Sequence, residues 1–151
     1  MAVYGDKPEL VIDFDDHFNQ SSLNDDVDKI VYPETRLSNM GAGLLLVTSA
    51  FTSETARPNA TKVLVILTAS KSQDDIEVPS HDLLTNNKVK VFTIGVGKEY
   101  SKGQLKEISS DPDDRFVLTY VSGENLPMEI VSFKETLAKG IVRSLHFPVI
   151  V

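Results

Sequence analysis

Two continuous apolar runs in the middle of the chain predict strands that are buried on both faces. Residues 62–68 (KVLVILT) and 89–96 (VKVFTIGV) are short and rich in β-branched side chains, as is typical of parallel strands covered by helices. Gly95 and Gly97 are expected to end the second of these strands. A third strand is predicted over residues 115–121.

Apolar side chains at helical spacing separate these strands. The longest central helix includes Gly41 and Gly43, which indicate close packing, since glycine otherwise costs about 1 kcal/mol inside a helix. Pro79 lies within another predicted helix, which should therefore be kinked or start late. Helices are expected over about residues 22–31, with Ser22 as the cap, and over about 40–52, 73–85, 101–109 and 128–143. This alternation predicts an α/β fold with a doubly wound, mostly parallel sheet and helices on both faces.

The first fourteen residues predict a pair of antiparallel strands. Residues 2–4 and 9–14 have strand character and flank Gly5-Asp6-Lys7-Pro8, which has the composition of a tight turn. Apolar side chains recur at every second position from Leu10 to Phe14, which suits an edge strand with one buried face. One antiparallel edge strand therefore completes the predicted sheet.

The composition fits one domain with an apolar core. The chain has 151 residues, 41% of them hydrophobic, and a formal net charge of −7 with a pI of about 4.9. An acidic chain is a poor match for nucleic acid or an anionic membrane surface, because both reward Lys and Arg. The absence of cysteine excludes disulfides, thiol nucleophiles and thiolate metal sites. No apolar segment reaches the roughly 20 residues of a membrane helix, and no signal peptide is visible.

The sequence does not contain the common motifs of catalysis or cofactor binding. Gly95-Val96-Gly97 follows a predicted strand but lacks the third glycine of a dinucleotide-binding loop. Neither a GxxxxGK(S/T) phosphate-binding loop nor a GxSxG nucleophile motif occurs. The three histidines do not have metal-ligand spacing. We therefore expect a protein that is not an enzyme and uses no cofactor.

Two sites match the acceptor sequence for N-glycosylation. They are Asn19-Gln20-Ser21 and Asn59-Ala60-Thr61. Both fall in predicted loops, where an acceptor asparagine is accessible. The pair favours a secreted glycoprotein.

Several segments of the chain match a family pattern in their order along the chain. They are Val3-Tyr4-Gly5, SNMGAGLLL around Gly41, ARPNATKVLVILTASKSQDD (residues 56–75), VKVFTIGVG (89–97) and LKEISSDPDDRFV (105–117). Taken together, these segments resemble a von Willebrand factor type A domain of the kind found in collagens and matrix proteins. The resemblance covers roughly residues 1–143 and implies a doubly wound sheet with one antiparallel edge strand.

The resemblance also implies a metal-ion-dependent adhesion site, from whose pattern this chain departs. Members that bind metal carry a DxSxS motif, which the chain does not contain. The family's threonine ligand falls on Ser38, with Thr35 as a looser alternative, and its aspartate falls on Ala69. The methyl group of Ala69 cannot ligate a cation, and one hydroxyl cannot provide the octahedral oxygen set of Mg²⁺. We therefore expect a degenerate site that holds no metal.

The family's first strand and first helix have no counterpart in this chain. The resemblance thus implies an N-terminally truncated domain over residues 1–143, followed by an apolar tail, or the start of a following domain, over residues 144–151. A gap in the middle of the sheet would expose unpaired backbone groups. Three explanations remain open: the chain is a fragment of a longer protein, a partner or second copy supplies a strand, or the tail fills the gap.

The preferred hypothesis is a non-catalytic adhesion or extracellular-matrix interaction module with metal-independent binding. Its partner would be a protein of the matrix or cell surface, with collagen as one candidate and self-association as another, and neither nucleic acid nor membrane insertion is expected. The alternatives are a structural spacer or assembly domain and, more remotely, an enzyme on a doubly wound sheet. The loops after the strands, at residues 34–39, 69–74 and 97–102, are the expected places for recognition.

Overall fold

The computed structural model describes residues 1–16, 19–31, 35, 37–57 and 59–120. The chain divides into two compact units, one of residues 1–60 and 72–88 and one of residues 61–71 and 89–151. The helix predicted over residues 128–143 and the tail over 144–151 lie outside the described residues. Within the described part, no helix combines the length and the apolarity that crossing a membrane requires.

Among its described residues, the first unit contains a short antiparallel pair of strands and three α-helices. Strands β1 (Ala2–Val3) and β2 (Glu9–Leu10) pair with Ala2 opposite Leu10, so the predicted hairpin is present. The second strand is shorter than expected, because beyond Leu10 the chain turns, although Ile12 remains buried. The helices are α1 (Gln20–Val27), α2 (Met40–Thr52) and α3 (Glu77–His81), the last continued by a π-helical turn over Asp82–Asn86.

Helix α1 begins two residues before the predicted start, and its cap is Asn19, so the prediction of Ser22 as the cap was wrong. The Asn19 backbone is extended, and its Oδ1 atom accepts a hydrogen bond from the Ser22 amide at 3.0 Å. Asparagine and serine are similarly good caps, so the sequence offered both positions. None of the residues of α1 is buried.

Helix α3 confirms that Pro79 delays the helix. Pro79 occupies the third position of α3, in the first turn, where a backbone N–H would have no partner within the helix. The predicted start of the helix at residue 73 was wrong. Residues 72–76 form an irregular loop, in which Ser72 and Asp74 accept hydrogen bonds from the first amides of helix α2. Ile76 and Leu83 are buried, and Leu84 is half-buried.

The second unit, in the residues that the structure describes, is a three-stranded parallel sheet with short helices. Strands β3 (Val63–Ser70), β4 (Lys90–Glu99) and β5 (Val117–Tyr120) lie in the order β3-β4-β5, and both neighbouring pairs are parallel. Helix α4 (Lys102–Ile108) agrees with the predicted helix, and α5 (Asp113–Phe116) is a single turn. The apolar centre includes the rings of Phe92 and Phe116, whose centroids are 4.6 Å apart. The predicted α/β class with a parallel sheet is confirmed.

Three details of this sheet correct the predictions. Strand β3 is buried on one face only, since Val65 and Leu67 are 41% and 54% exposed. Side chains alternate along a strand, so these two share the face that the described residues leave open. Strand β4 continues past its glycines to Glu99, and β5 begins only at Val117, because the preceding residues form α5.

Candidate functional site

Ser38 lies in the first unit, directly before helix α2, in a loop whose backbone is held from a distant segment. Ser38 is buried, with 7% of its surface exposed. Its carbonyl oxygen accepts a hydrogen bond from the Gln73 amide at 2.9 Å. The next residue, Asn39, donates from its amide to Gly5 O and from Nδ2 to Asp6 O, both at 2.9 Å. The loop is therefore held by hydrogen bonds to the backbone of residues 5–6 and of residue 73.

The N-terminus of helix α2 is capped by residues more than thirty positions further along the chain. The Met40 amide donates to Ser72 Oγ at 3.0 Å. The amides of Gly41 and Ala42 donate to the two carboxylate oxygens of Asp74, at 2.9 and 2.7 Å. The first amides of any helix lack partners within it, and here three of them are satisfied by one serine and one aspartate. No side chain of the N-cap residue itself takes part.

The same contacts lower the pKa of the Asp74 carboxyl. Partial burial raises the pKa of this carboxyl, but hydrogen bonds from Ser72 and from the amides of Gly41 and Ala42 outweigh it, so the pKa lies below its ordinary value of 3.8. The Ser72 hydroxyl is 2.6 Å from Asp74 Oδ1 and 3.2 Å from Ser38 O, so its one proton serves the closer carboxylate. The negative charge of Asp74 also lies at the positive end of the helix dipole.

Gly41 allows this arrangement because its backbone touches the capping loop. A Cβ atom at Gly41 would stand 1.9 Å from Asp75 O and 2.9 Å from Asp75 C. Distances this short cannot be relieved by a side-chain rotation, because both neighbouring atoms are backbone. The second small residue, Gly43, faces the Tyr4 side chain instead, with 3.3 Å from a built Cβ to Tyr4 Cβ. The close packing predicted from these two glycines is therefore present.

The hydroxyl of Ser38 is the oxygen that the family resemblance assigns to a metal ligand, and Ser38 is buried in this loop. This hydroxyl makes no hydrogen bond with any residue that the structure describes. Thr35, the alternative ligand position, is exposed, and its Oγ1 accepts from the Leu37 amide at 3.1 Å. Neither position adds a carboxylate, so Thr35 and Ser38 present only neutral hydroxyl oxygens.

Ala69 lies in the second unit, at the carboxyl end of strand β3. It is exposed, and its neighbour Thr68 is buried, with Oγ1 donating to Ser70 O at 3.0 Å. The register between β3 and β4 shifts at this point, where Ser70 pairs with Glu99. The structure therefore places a methyl group at an accessible strand end.

The ends of β3 and β4 form a small polar surface within the second unit, which we call the carboxyl-end surface. Ser70 and Glu99 are paired across it. Gly97, with φ of +86°, gives β4 a conformation here that other residues rarely adopt. The exposed members of the surface are Ala69, Lys71, Lys98 and Glu99. The surface combines two cations, one anion and a small apolar group.

Two acidic segments of the sequence, residues 13–16 and 111–114, contain carboxylates with partners close by. Asp16 Oδ2 accepts from the Asp13 amide at 2.6 Å, as in a turn, and Asp113 pairs with Lys106 at 2.6 Å. Among the residues that the structure describes, no group of three or more His, Cys, Asp or Glu side chains is arranged to hold a metal ion. The two glycosylation asparagines, Asn19 and Asn59, are both exposed.

Comparison with known proteins identifies the family. The family model of the von Willebrand factor type A domain matches residues 1–132. The human collagen alpha-5(VI) chain is 32% identical over 110 residues, which cover 72% of this chain and 4% of the collagen. The von Willebrand factor A domain-containing protein 2 of Xenopus laevis is 28% identical over 127 residues, covering 83% of this chain and 16% of that protein. The chain thus spans a small part of the length of these curated relatives.

A solved structure has the same fold. It is proximal thread matrix protein 1 from the mussel byssus, with a zinc-occupied MIDAS motif, and it aligns with a TM-score of 0.76 at 23% identity. The alignment covers 91% of this chain and 33% of that one. Together with the family match, this fold shows that the chain belongs to the von Willebrand factor type A domain family.

Proposed function

We propose that this domain is a non-catalytic protein-interaction module of an extracellular-matrix protein. The observation that carries the proposal is its membership of the von Willebrand factor type A family, together with curated relatives that are collagen chains. The common motifs of an enzyme active site are absent from the sequence, which supports a binding role. In this proposal the domain comprises residues 1–143, and the segment 144–151 leads out of it.

We infer further that binding does not depend on a divalent metal. Of the two adhesion-site positions implied by the family resemblance, Ser38 offers one neutral hydroxyl and Ala69 offers only a methyl group. Mg²⁺ requires near-octahedral oxygen coordination, usually with at least one carboxylate. The donors of these two residues do not fit that ion. The protein partner is then held by shape, hydrogen bonds and side-chain charges.

The carboxyl-end surface is the proposed place of contact. In open α/β sheets, ligands bind outside the carboxyl ends of the parallel strands. Here that end carries exposed Lys71 and Lys98 on a chain whose net charge is −7. Local positive charges on an acidic domain favour one orientation of a partner over others. Collagen is the first partner to test, because collagen chains are among the curated relatives.

Charge reversal at either end of strand β3 tests whether the carboxyl-end surface, and not another part of the domain, contacts the partner. Lys71→Glu alters the carboxyl end, and we expect it to weaken binding to immobilised collagen several-fold, measured by surface plasmon resonance. Lys62→Glu makes the same charge change at the amino end of the same strand and should leave the affinity unchanged. Absence of binding by the unmodified chain, or equal loss in both variants, would contradict the proposal.

A further inference from the structure

We propose that Asn19 carries an N-linked glycan. The two ends of its side-chain amide then have different roles: Oδ1 caps helix α1, and Nδ2 is bonded to the sugar. This inference rests on the proposed extracellular role, since the modification requires passage through the secretory pathway. Asn19-Gln20-Ser21 supplies the asparagine and the hydroxyl residue that the acceptor sequence needs.

At Asn19, the helix cap uses the side-chain oxygen and does not involve the side-chain nitrogen. Oδ1 accepts the hydrogen bond of the Ser22 amide at 3.0 Å, and Ser22 Oγ donates to Asn19 O at 3.2 Å. The Nδ2 group makes no hydrogen bond with any residue that the structure describes. The cap therefore fixes the oxygen of the side-chain amide and leaves its nitrogen accessible.

The covalent step uses only this nitrogen. The donor is an oligosaccharide linked through a diphosphate to a lipid. The bond between sugar C1 and the phosphate oxygen breaks, a C1–Nδ2 bond forms, Nδ2 loses one proton, and the lipid diphosphate leaves. The side-chain carbonyl is unchanged, so Oδ1 still accepts from the Ser22 amide after transfer.

The surroundings leave room for a sugar. Asn19, Gln20 and Ser21 are all exposed, and none of the residues of α1 is buried. A glycan at the start of this helix therefore displaces no buried side chain of α1. The bond at Nδ2 also leaves the extended backbone of the cap unchanged, with φ of −144° and ψ of 158°.

The second acceptor sequence supports a separate assignment at Asn59. Both Asn59 and Thr61 are exposed, and neither side chain hydrogen-bonds to a described residue. Asn59 does not cap a helix, so the presence of a glycan at Asn59 depends on the accessibility of its side chain and not on a capping contact. We propose it as a second glycosylation site, read in the same experiment as Asn19.

The test is secretion of the full chain from cultured animal cells behind an added, cleavable signal peptide. Peptide mass spectrometry after peptide N-glycosidase F treatment then reads each site, because the enzyme converts a glycosylated asparagine to aspartate. We expect both asparagines to be converted in the secreted chain. An unmodified Asn19 peptide or an unmodified Asn59 peptide would overturn the assignment of that site.

Matched variants distinguish the helix-capping role of Asn19 from its role as the glycan acceptor. Asn19→Asp keeps an oxygen for the Ser22 amide and removes the acceptor nitrogen, and Ser21→Ala removes the required hydroxyl. Both should lose the Asn19 glycan and keep the Asn59 glycan. After enzymatic deglycosylation, both should melt as the deglycosylated unmodified chain does. Ser21→Thr should retain it. Retention of the glycan in Ser21→Ala would contradict the assignment. Because the signal peptide is supplied, this outcome is independent of collagen binding, which is measured separately on deglycosylated protein.

Discussion

Replacing Gly41 with alanine should lower the free energy of unfolding by about 3 kcal/mol, the upper part of the range for overpacked sites. The new Cβ would lie 1.9 Å from the Asp75 carbonyl oxygen, and only movement of the helix or of the capping loop relieves that overlap. Either movement pulls the amides of Gly41 and Ala42 away from Asp74. Urea denaturation followed by circular dichroism measures the change, and the melting temperature should fall by roughly 6–12 °C.

Gly103→Ala is the matched control for this substitution. Gly103 lies in helix α4, where a built Cβ meets only Ser101 Oγ, at 3.8 Å. Since alanine restricts the unfolded chain more than glycine does, this variant should gain about 0.5–1 kcal/mol. If Gly41→Ala unfolded at the same urea concentration as the unmodified chain, the close approach of α2 to the 72–75 loop would be wrong.

Asp74→Ala should destabilise the domain by about 2 kcal/mol, at the upper end of the range for a lost helix cap. It removes acceptors from the amides of Gly41 and Ala42 and from the hydroxyl of Ser72. The loop that carries Ser38 is tied to the same segment, so its amide exchange should also accelerate. Asp6→Ala removes an exposed carboxylate of the same unit and should cost little. Equal stability of the two variants would contradict the capping role.

The pH dependence of this effect has a definite sign. The pKa of Asp74 in the folded domain lies below the ordinary 3.8, so the charged carboxylate stabilises the fold above 3.8, and this contribution disappears as the pH falls through the folded pKa. Asp74→Asn lacks the titrating group. The stability difference between the unmodified chain and Asp74→Asn should therefore be constant near neutral pH and shrink below pH 3.8. A difference that grew on acidification would contradict the assignment.

Local patterns in the sequence predicted most of the elements, and long-range contacts account for the errors. Helix α2 has the predicted bounds because its apolar run is long and uninterrupted. Its cap could not be predicted, since Gly41 and Asp74 are separated by 33 residues. The exposure of Val65 and Leu67 was missed for a related reason: an apolar strand does not reveal which of its faces will be covered.

In the candidate site, too, some features follow from the sequence and others depend on long-range contacts. The identity of Ala69 and the two acceptor asparagines follow from the sequence alone. The burial of Ser38 and the roles of Ser72 and Asp74 depend on a loop that the sequence pattern assigned partly to a helix. The motif KSQDD contained both capping residues, but nothing nearby in the sequence indicated that their partners were the amides of α2.

Calorimetric titration of Mg²⁺ and of Mn²⁺ into the chain tests metal-independent binding most directly. With one neutral hydroxyl at Ser38 and a methyl group at Ala69, neither ion should produce a saturable heat, and Ser38→Ala should behave as the unmodified chain does. Saturable uptake of either ion that Ser38→Ala abolishes would contradict the account.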